Sequence, residues 1–210
     1  MSNEDGDGAS QDEVIRQDPG VTYYRAGDLG PAVPYVSAAR DISHNYGFAN
    51  LREKPELIPT IPEVQNSPGL KAMVAAANDL DGALMSIGCE RVLWEQPTRG
   101  FSHNIHSYLE VTFYDGAINA TEGQLMALAE AVIRRVVFDG AAYQVTFEMG
   151  LERLRKFFGD TGPHYCLNIG LTGFGRSPEE AEAAYEVAAA ATAKAILEAG
   201  VLDWPQELAR

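Results

Sequence analysis

The chain has 210 residues, with 30 acidic and 16 basic side chains, a formal charge of -14, and 46 % apolar residues. That mix belongs to a globular protein long enough to bury a core without disulfide or metal staples. The acidity argues against nucleic acid and anionic membranes as partners, because both need a basic footprint.

Two cysteines, Cys89 and Cys166, are too few for a disulfide framework. No apolar run approaches the ~20 residues of a membrane helix. The start is acidic and polar, unlike a signal peptide. The expected location is therefore cytoplasmic, with both thiols free.

Residues 1–13 carry Glu4, Asp5, Asp7, Asp12 and Glu13 and no Lys or Arg. Like charges with few apolar groups cannot build a core, so residues 1–20 are read as a disordered acidic tail. Residues 21–66 form a second region. Pro31, Pro34, Pro55, Pro59 and Pro62 punctuate it, and Tyr23, Tyr24, Tyr35, Tyr46, Phe48, Leu57, Ile58 and Ile61 recur along it. Each proline removes a backbone donor and favours extended geometry before it. The expectation is an extended arm that lays its aromatic residues on a surface.

Residues 67–210 read as an α+β domain. Ser67-Pro68 supplies an N-cap and a first-turn proline. Leu70, Met73, Val74, Ala77, Leu80, Leu84 and Ile87 follow at helical spacing, which predicts a helix ending at Gly88. Strands are expected over 90–96 and 105–115. Thr121 and Gln124 have the spacing of a capping box and open a second helix. A third strand is expected over 141–149. Leu151 to Phe158 fits a short amphipathic helix or a long hairpin. A fourth strand covers 164–173, and Ser177-Pro178-Glu179-Glu180 opens a helix that runs to Ala199 and stops at Gly200. The order α-β-β-α-β-β-α predicts a two-layer α+β sandwich. Its sheet would be roughly four-stranded and mainly antiparallel, with helices on one face.

Alternation along these strands sorts the residues into two faces. One is apolar: Leu109, Val111, Phe113, then Val145, Phe147, Met149, then Leu167, Ile169, Leu171. The other carries His106, Tyr108, Glu110, Gln144, Glu148, His164, Cys166 and Asn168. A solvent-washed face usually mixes in Lys and Arg; here strands two to four send none that way. His, Tyr, Glu and Asn perform acid–base work, hold ligands, or satisfy one another in a covered layer. A second copy, the folded-back arm, or a small ligand would each cover it.

His106, Glu110, Glu148 and His164 are the candidate catalytic residues, as proton donors and acceptors. Tyr108, Gln144, Cys166 and Asn168 are the candidate ligand-binding residues. His103, His106 and Glu110 fall close enough in sequence to suggest metal ligands, but no HExxH or paired-cysteine spacing supports them, so no metal or cofactor is assigned. Cys166 beside His164 has the residue types of an activated thiol, although a buried structural cysteine has the same pattern. Gly170 to Ser177 is neither a Walker loop nor a dinucleotide fingerprint.

Two functions fit. One is an oligomeric protein that binds a small organic ligand on the polar sheet face, with His/Glu acid–base chemistry as its enzymatic form. The other is a non-catalytic accessory or structural subunit whose N-terminal arm wraps a larger partner. Both expect a homo-oligomer or a larger complex as partner.

Overall fold

Serine caps set the start of two helices in the computed structural model, which describes residues 11–36, 47–94, 100–136 and 144–205. The first ten residues of the expected tail, Tyr46, residues 95–96 of the first expected strand and residues 141–143 of the third lie outside the described residues. Helix α1 (Pro68–Ala77) starts where Ser67 Oγ accepts from the Leu70 N–H at 3.1 Å. Helix α3 (Pro178–Gly200) starts where Ser177 Oγ accepts from the Glu180 N–H at 3.3 Å. Helix α2 (Glu122–Ile133) follows Thr121, but the expected capping box does not form. The Thr121 side chain makes no cap bond, and the Gln124 amide instead donates to the Pro205 carbonyl at 3.0 Å.

The first helix is also shorter than its periodicity predicts. It ends at Ala77, and Leu84 to Ile87 belong to strand β4 (Leu84–Trp94). Asn78 makes the stop: its amide donates to Val74 O at 2.8 Å and to Ser86 Oγ at 2.7 Å, and its carbonyl accepts from the Ser86 N–H at 3.2 Å. Gly88, the expected terminator, lies inside β4. The helical spacing misleads because β4 begins buried on both sides. Leu84 enters the main core, while Met85 and Ile87 enter a second one.

The remaining strands are β1 (Glu13–Asp18), β2 (Val21–Arg25), β3 (Ala32–Val33), β5 (His103–Phe113), β6 (Val145–Leu154), β7 (Lys156–Phe157) and β8 (His164–Gly175). Six of them form one sheet in the order β1-β2-β6-β8-β5-β4, antiparallel except for the β2–β6 pair. The sheet thus has six strands where the sequence predicts four. The additional two come from residues 13–25, for which the sequence predicts a disordered tail and an extended arm but no strand. The segment Leu151–Phe158 resolves as the end of β6 followed by β7, not as a helix.

The three α-helices found among the described residues cover one sheet face. Leu109, Val111, Phe113, Phe147, Met149, Leu167, Ile169 and Leu171 meet Leu70, Met73, Leu125, Leu128, Val132, Tyr185 and Ile196 there. Gly173 lets α3 approach closely, since a Cβ there would sit 2.7 Å from Tyr185 N and 2.9 Å from Ala181 O. The alanine-rich stretch of α3 packs against α1 at Gly69 and Ala189. Glu186 of α3 then accepts from Ser67 Oγ and from the Gly69 N–H, each at 2.6 Å, at the positive end of α1. No described helix is long and apolar enough to cross a membrane.

The segment between β2 and α1 folds back on its own sheet. Leu51, Ile58 and Val64 join the main core. Arg52 donates to Asp79 O at 2.6 Å, Leu80 O at 2.8 Å and Leu84 O at 3.0 Å, and Tyr35 donates to Ile87 O at 2.9 Å, so both residues satisfy backbone carbonyls at the β4 end of the sheet. Val33, Met85, Ile87, Leu154, Phe157 and Cys166 form the second core, with Phe48 against it. One end of the polar sheet face is thereby closed.

Candidate functional site

The rest of that face is built from rows of residues that neighbouring strands place side by side. In one row Glu110 of β5 stands opposite Asn168 of β8, which stands opposite Gly150 of β6, which stands opposite Tyr24 of β2. At ~4.8 Å per strand, the four positions span about 15 Å. The next row runs Glu90, Tyr108, Gly170, Glu148 and Thr22, and the one beyond it runs Val92, His106, Thr172 and Thr146. Gly150 has a steric role here, because the Tyr24 ring lies where its Cβ would be.

Several expected residues therefore come together: His106, Tyr108, Glu110, Glu148 and Asn168 share one surface. Glu152 joins them, accepting from the Asn168 amide at 3.1 Å. His106 Nδ1 lies 2.9 Å from Thr172 Oγ1, and its ring stacks on Trp94 at 5.5 Å between centroids with 10° between planes. Alternation along the strand found the face but missed Glu152, Trp94 and Tyr24. Glu152 lies past the expected end of its strand, Trp94 lies on the expected first strand, whose faces the alternation does not sort, and Tyr24 falls in the expected arm.

His164 is not part of this cluster. It shares the face, but it pairs with Leu154, whereas His106 pairs with Thr172. The eight-residue offset along β8 is ~26 Å. Cys166 is fully buried in the second core, and burial pushes its thiol well above the ordinary range, so it is no activated nucleophile. Gln144 lies just before β6, where its carbonyl accepts from the Phe174 N–H at 2.8 Å. His103 alternates with Ile105 and Ser107 onto the helix-covered face, so it does not converge with His106 and Glu110.

The electrostatics of the cluster are one-sided. The six strands of the large sheet carry four arginines, and all four lie on the helix-covered face. Arg16 stacks on Tyr23 and pairs with Glu130, Arg25 pairs with Glu122, Arg91 pairs with Glu182, and Arg153 stands opposite Tyr165. Glu90, Glu110, Glu148 and Glu152 occupy the opposite face. Burial, and then the negative charge of Glu152, raise the Glu110 carboxyl to about 7. No described residue donates a hydrogen bond to it. Burial likewise raises Glu152, although the Asn168 amide opposes the shift. Burial pushes up the Tyr24 and Tyr108 hydroxyls and takes Tyr35 to about 12. His106 is lowered by burial against the opposing pull of Glu148 and Glu90.

The surface thus holds a mostly buried carboxyl that changes charge near neutrality, a second raised carboxyl, aromatic faces, and hydrogen-bonding Asn and Thr. It can donate and accept protons and attract positive charge. A separate cleft of about 290 Å³ lies on the other side of β2 and β6, lined by Arg25, Asp28, Glu122, Arg153 and Tyr165. It contains none of these residues. Comparison with protein-family models, curated proteins and solved structures yields no match.

Proposed function

We propose that the polar sheet face binds a small organic ligand through a protonated amine or similar donor-rich cation, and that Glu110 exchanges a proton with it. The observation that supports this reading is the segregation of charge across the sheet. A face kept only for solubility has no reason to exclude every arginine of these strands while holding a mostly buried carboxyl to which no described residue donates, an arrangement that costs stability. A bound cation would offset that cost by lowering the Glu110 pKa. Tyr108 and Asn168 would orient the ligand, and Trp94 and the tyrosines would offer ring faces to its charge. His106, held near neutral by burial, would relay a proton. Glu148 and Glu152 would hold the field.

The accessory-subunit reading has less support, because Tyr35 and Phe48, the anchors expected to grip a partner, pack on their own sheet. Thermal unfolding with added benzylamine, agmatine and benzoate tests the proposal. The amines are expected to raise the melting temperature more at pH 8 than at pH 5, since Glu110 ionises in between, and benzoate is expected to do nothing. A ligand at ~100 times its Kd adds about 2.7 kcal/mol. Glu110→Gln should abolish the response. No response to any amine, or an equal response to benzoate, overturns the reading. Native mass spectrometry of freshly purified protein would show whether a second copy covers the face instead.

A further inference from the structure

One buried titratable group has no part in that site. His164 lies at the far end of β8, buried against Phe157 with ring centroids 5.3 Å apart. Its Nδ1 is 2.6 Å from Asn119 Oδ1. The orientation of that amide is fixed from its other end: Nδ2 lies 3.1 Å from Phe113 O, a carbonyl that can only accept, and 3.1 Å from Thr112 Oγ1. Thr112 in turn spends its own proton on Tyr165 O at 2.8 Å. Asn119 therefore presents oxygen to the ring, and Nδ1 must carry a proton. The other nitrogen, Nε2, is 3.0 Å from Asp160 Oδ2. The Asp160 carboxyl is held below its usual range, first by the Gly162 N–H and then by His164, so it is an ionised acceptor. Both ring nitrogens thus face acceptors, and only an imidazolium satisfies both.

We propose that His164 is a buried imidazolium latch, whose second proton clips the turn after β7 and so holds the strap of residues 32–36 and 47–48 over the closed end of the polar face. The mechanical path is continuous. Asp160 exchanges backbone hydrogen bonds with Phe157 at 2.9 and 3.0 Å, and the Phe158 N–H donates to Val33 O at 2.7 Å. Phe158 packs edge-on against Phe48 at 5.8 Å, Phe48 against Tyr35 at 6.1 Å, and Tyr35 donates to Ile87 O beside the cluster. Losing the second proton turns one ring nitrogen into a lone pair facing either an amide oxygen or a carboxylate. Packing against Phe157 and Gly116 leaves the ring little room to turn away. The charged groups on the elements around the ring are Asp160 on the turn, Asp115 before Asn119, and Lys156 on β7. Asp115 is engaged by the Ala117 N–H at 2.9 Å, and Lys156 is exposed. The latch is therefore closed while both ring nitrogens carry protons, opens when either proton is lost, and also fails once Asp160 is protonated.

Asp160→Asn provides the test, because an amide can donate to a neutral imidazole as readily as it accepts from a charged one. Hydrogen exchange of the Phe158, Asp160 and Gly162 amides is followed in the full chain from pH 5 to 9 and corrected for intrinsic rates. The wild type is expected to open roughly tenfold more as pH rises, the factor that losing one charge-assisted hydrogen bond implies. Asp160→Asn should be nearly flat. Nitrogen-15 spectra at pH 6 should show protons on both His164 nitrogens. A single protonated nitrogen at pH 6, or the same pH response in wild type and variant, overturns the latch. Neither readout depends on whether the polar face binds a ligand.

Discussion

Glu110 shows how much one side chain can reveal. Its ordinary pKa is near 4.5, and in the fold it titrates at about 7. The native state therefore holds this proton more tightly than the unfolded chain does. Native stability is unpenalised below about pH 4.5 and falls as pH rises towards 7. Glu110→Gln removes that penalty. It is expected to stabilise the protein by about 2–3 kcal/mol at pH 8 and by almost nothing at pH 4, discounted for the part of the group that solvent reaches. Urea midpoints at the two pH values measure it. A variant less stable than wild type at pH 8 would mean that the carboxylate has a partner. The sequence made this residue a candidate because strand parity is local and robust. It could not supply the pKa, which depends on burial in the assembled sheet and then on the charge of Glu152. His164 shows the limit of parity: the face was right, but only the register between β5 and β8 reveals how far along that face it stands.

At the scale of elements, the sequence was readable where a signal is completed by its own neighbours. Ser177 and Glu180 lie three residues apart and form their cap unaided. Thr121 and Gln124 have the same spacing, but the Gln124 amide is claimed by Pro205, over 80 residues on. Strand β1 was invisible for a different reason. Glu13, Arg16 and Asp18 show the charge of an exposed sheet edge, and such a strand has no buried face to print a pattern. Two tests belong here. Gly173→Ala pushes a methyl into the α3 backbone, which cannot swing aside as a side chain would, and about 2–3 kcal/mol should be lost in denaturant unfolding. Glu186→Gln weakens the charge at the N-terminus of α1 and should cost about 1 kcal/mol. If both are neutral, the packing of α1 on α3 contributes less than its geometry indicates.

At the scale of the whole molecule, charge is sorted by layer. The helix-covered face spends its arginines in ion pairs with Glu122, Glu130 and Glu182 on the helices, and the opposite face concentrates carboxylates. The N-terminal strands complete that opposite face, because β2 brings Tyr24 over Gly150 while burying Val21 and Tyr23 in the core. Removing residues 1–29 should therefore expose the β6 edge. The truncated chain is expected to lose several kcal/mol and to associate at micromolar concentration, as seen by light scattering. A truncated chain that stays monomeric and equally stable would show that the N-terminal pair is dispensable.

The parallel pairing of β2 with β6 has a consequence for the life of the chain on the ribosome. Val21 and Phe147 are neighbours in the sheet but more than 120 residues apart in the chain. The hairpin of β1 and β2 therefore emerges well before β6 and has no β6 edge to join until the intervening residues have been made. Closing so long a loop is slow. During that wait the valine and tyrosine destined for the core stay exposed to solvent. A hairpin made so far ahead of its sheet neighbour is thus among the last elements to find its place.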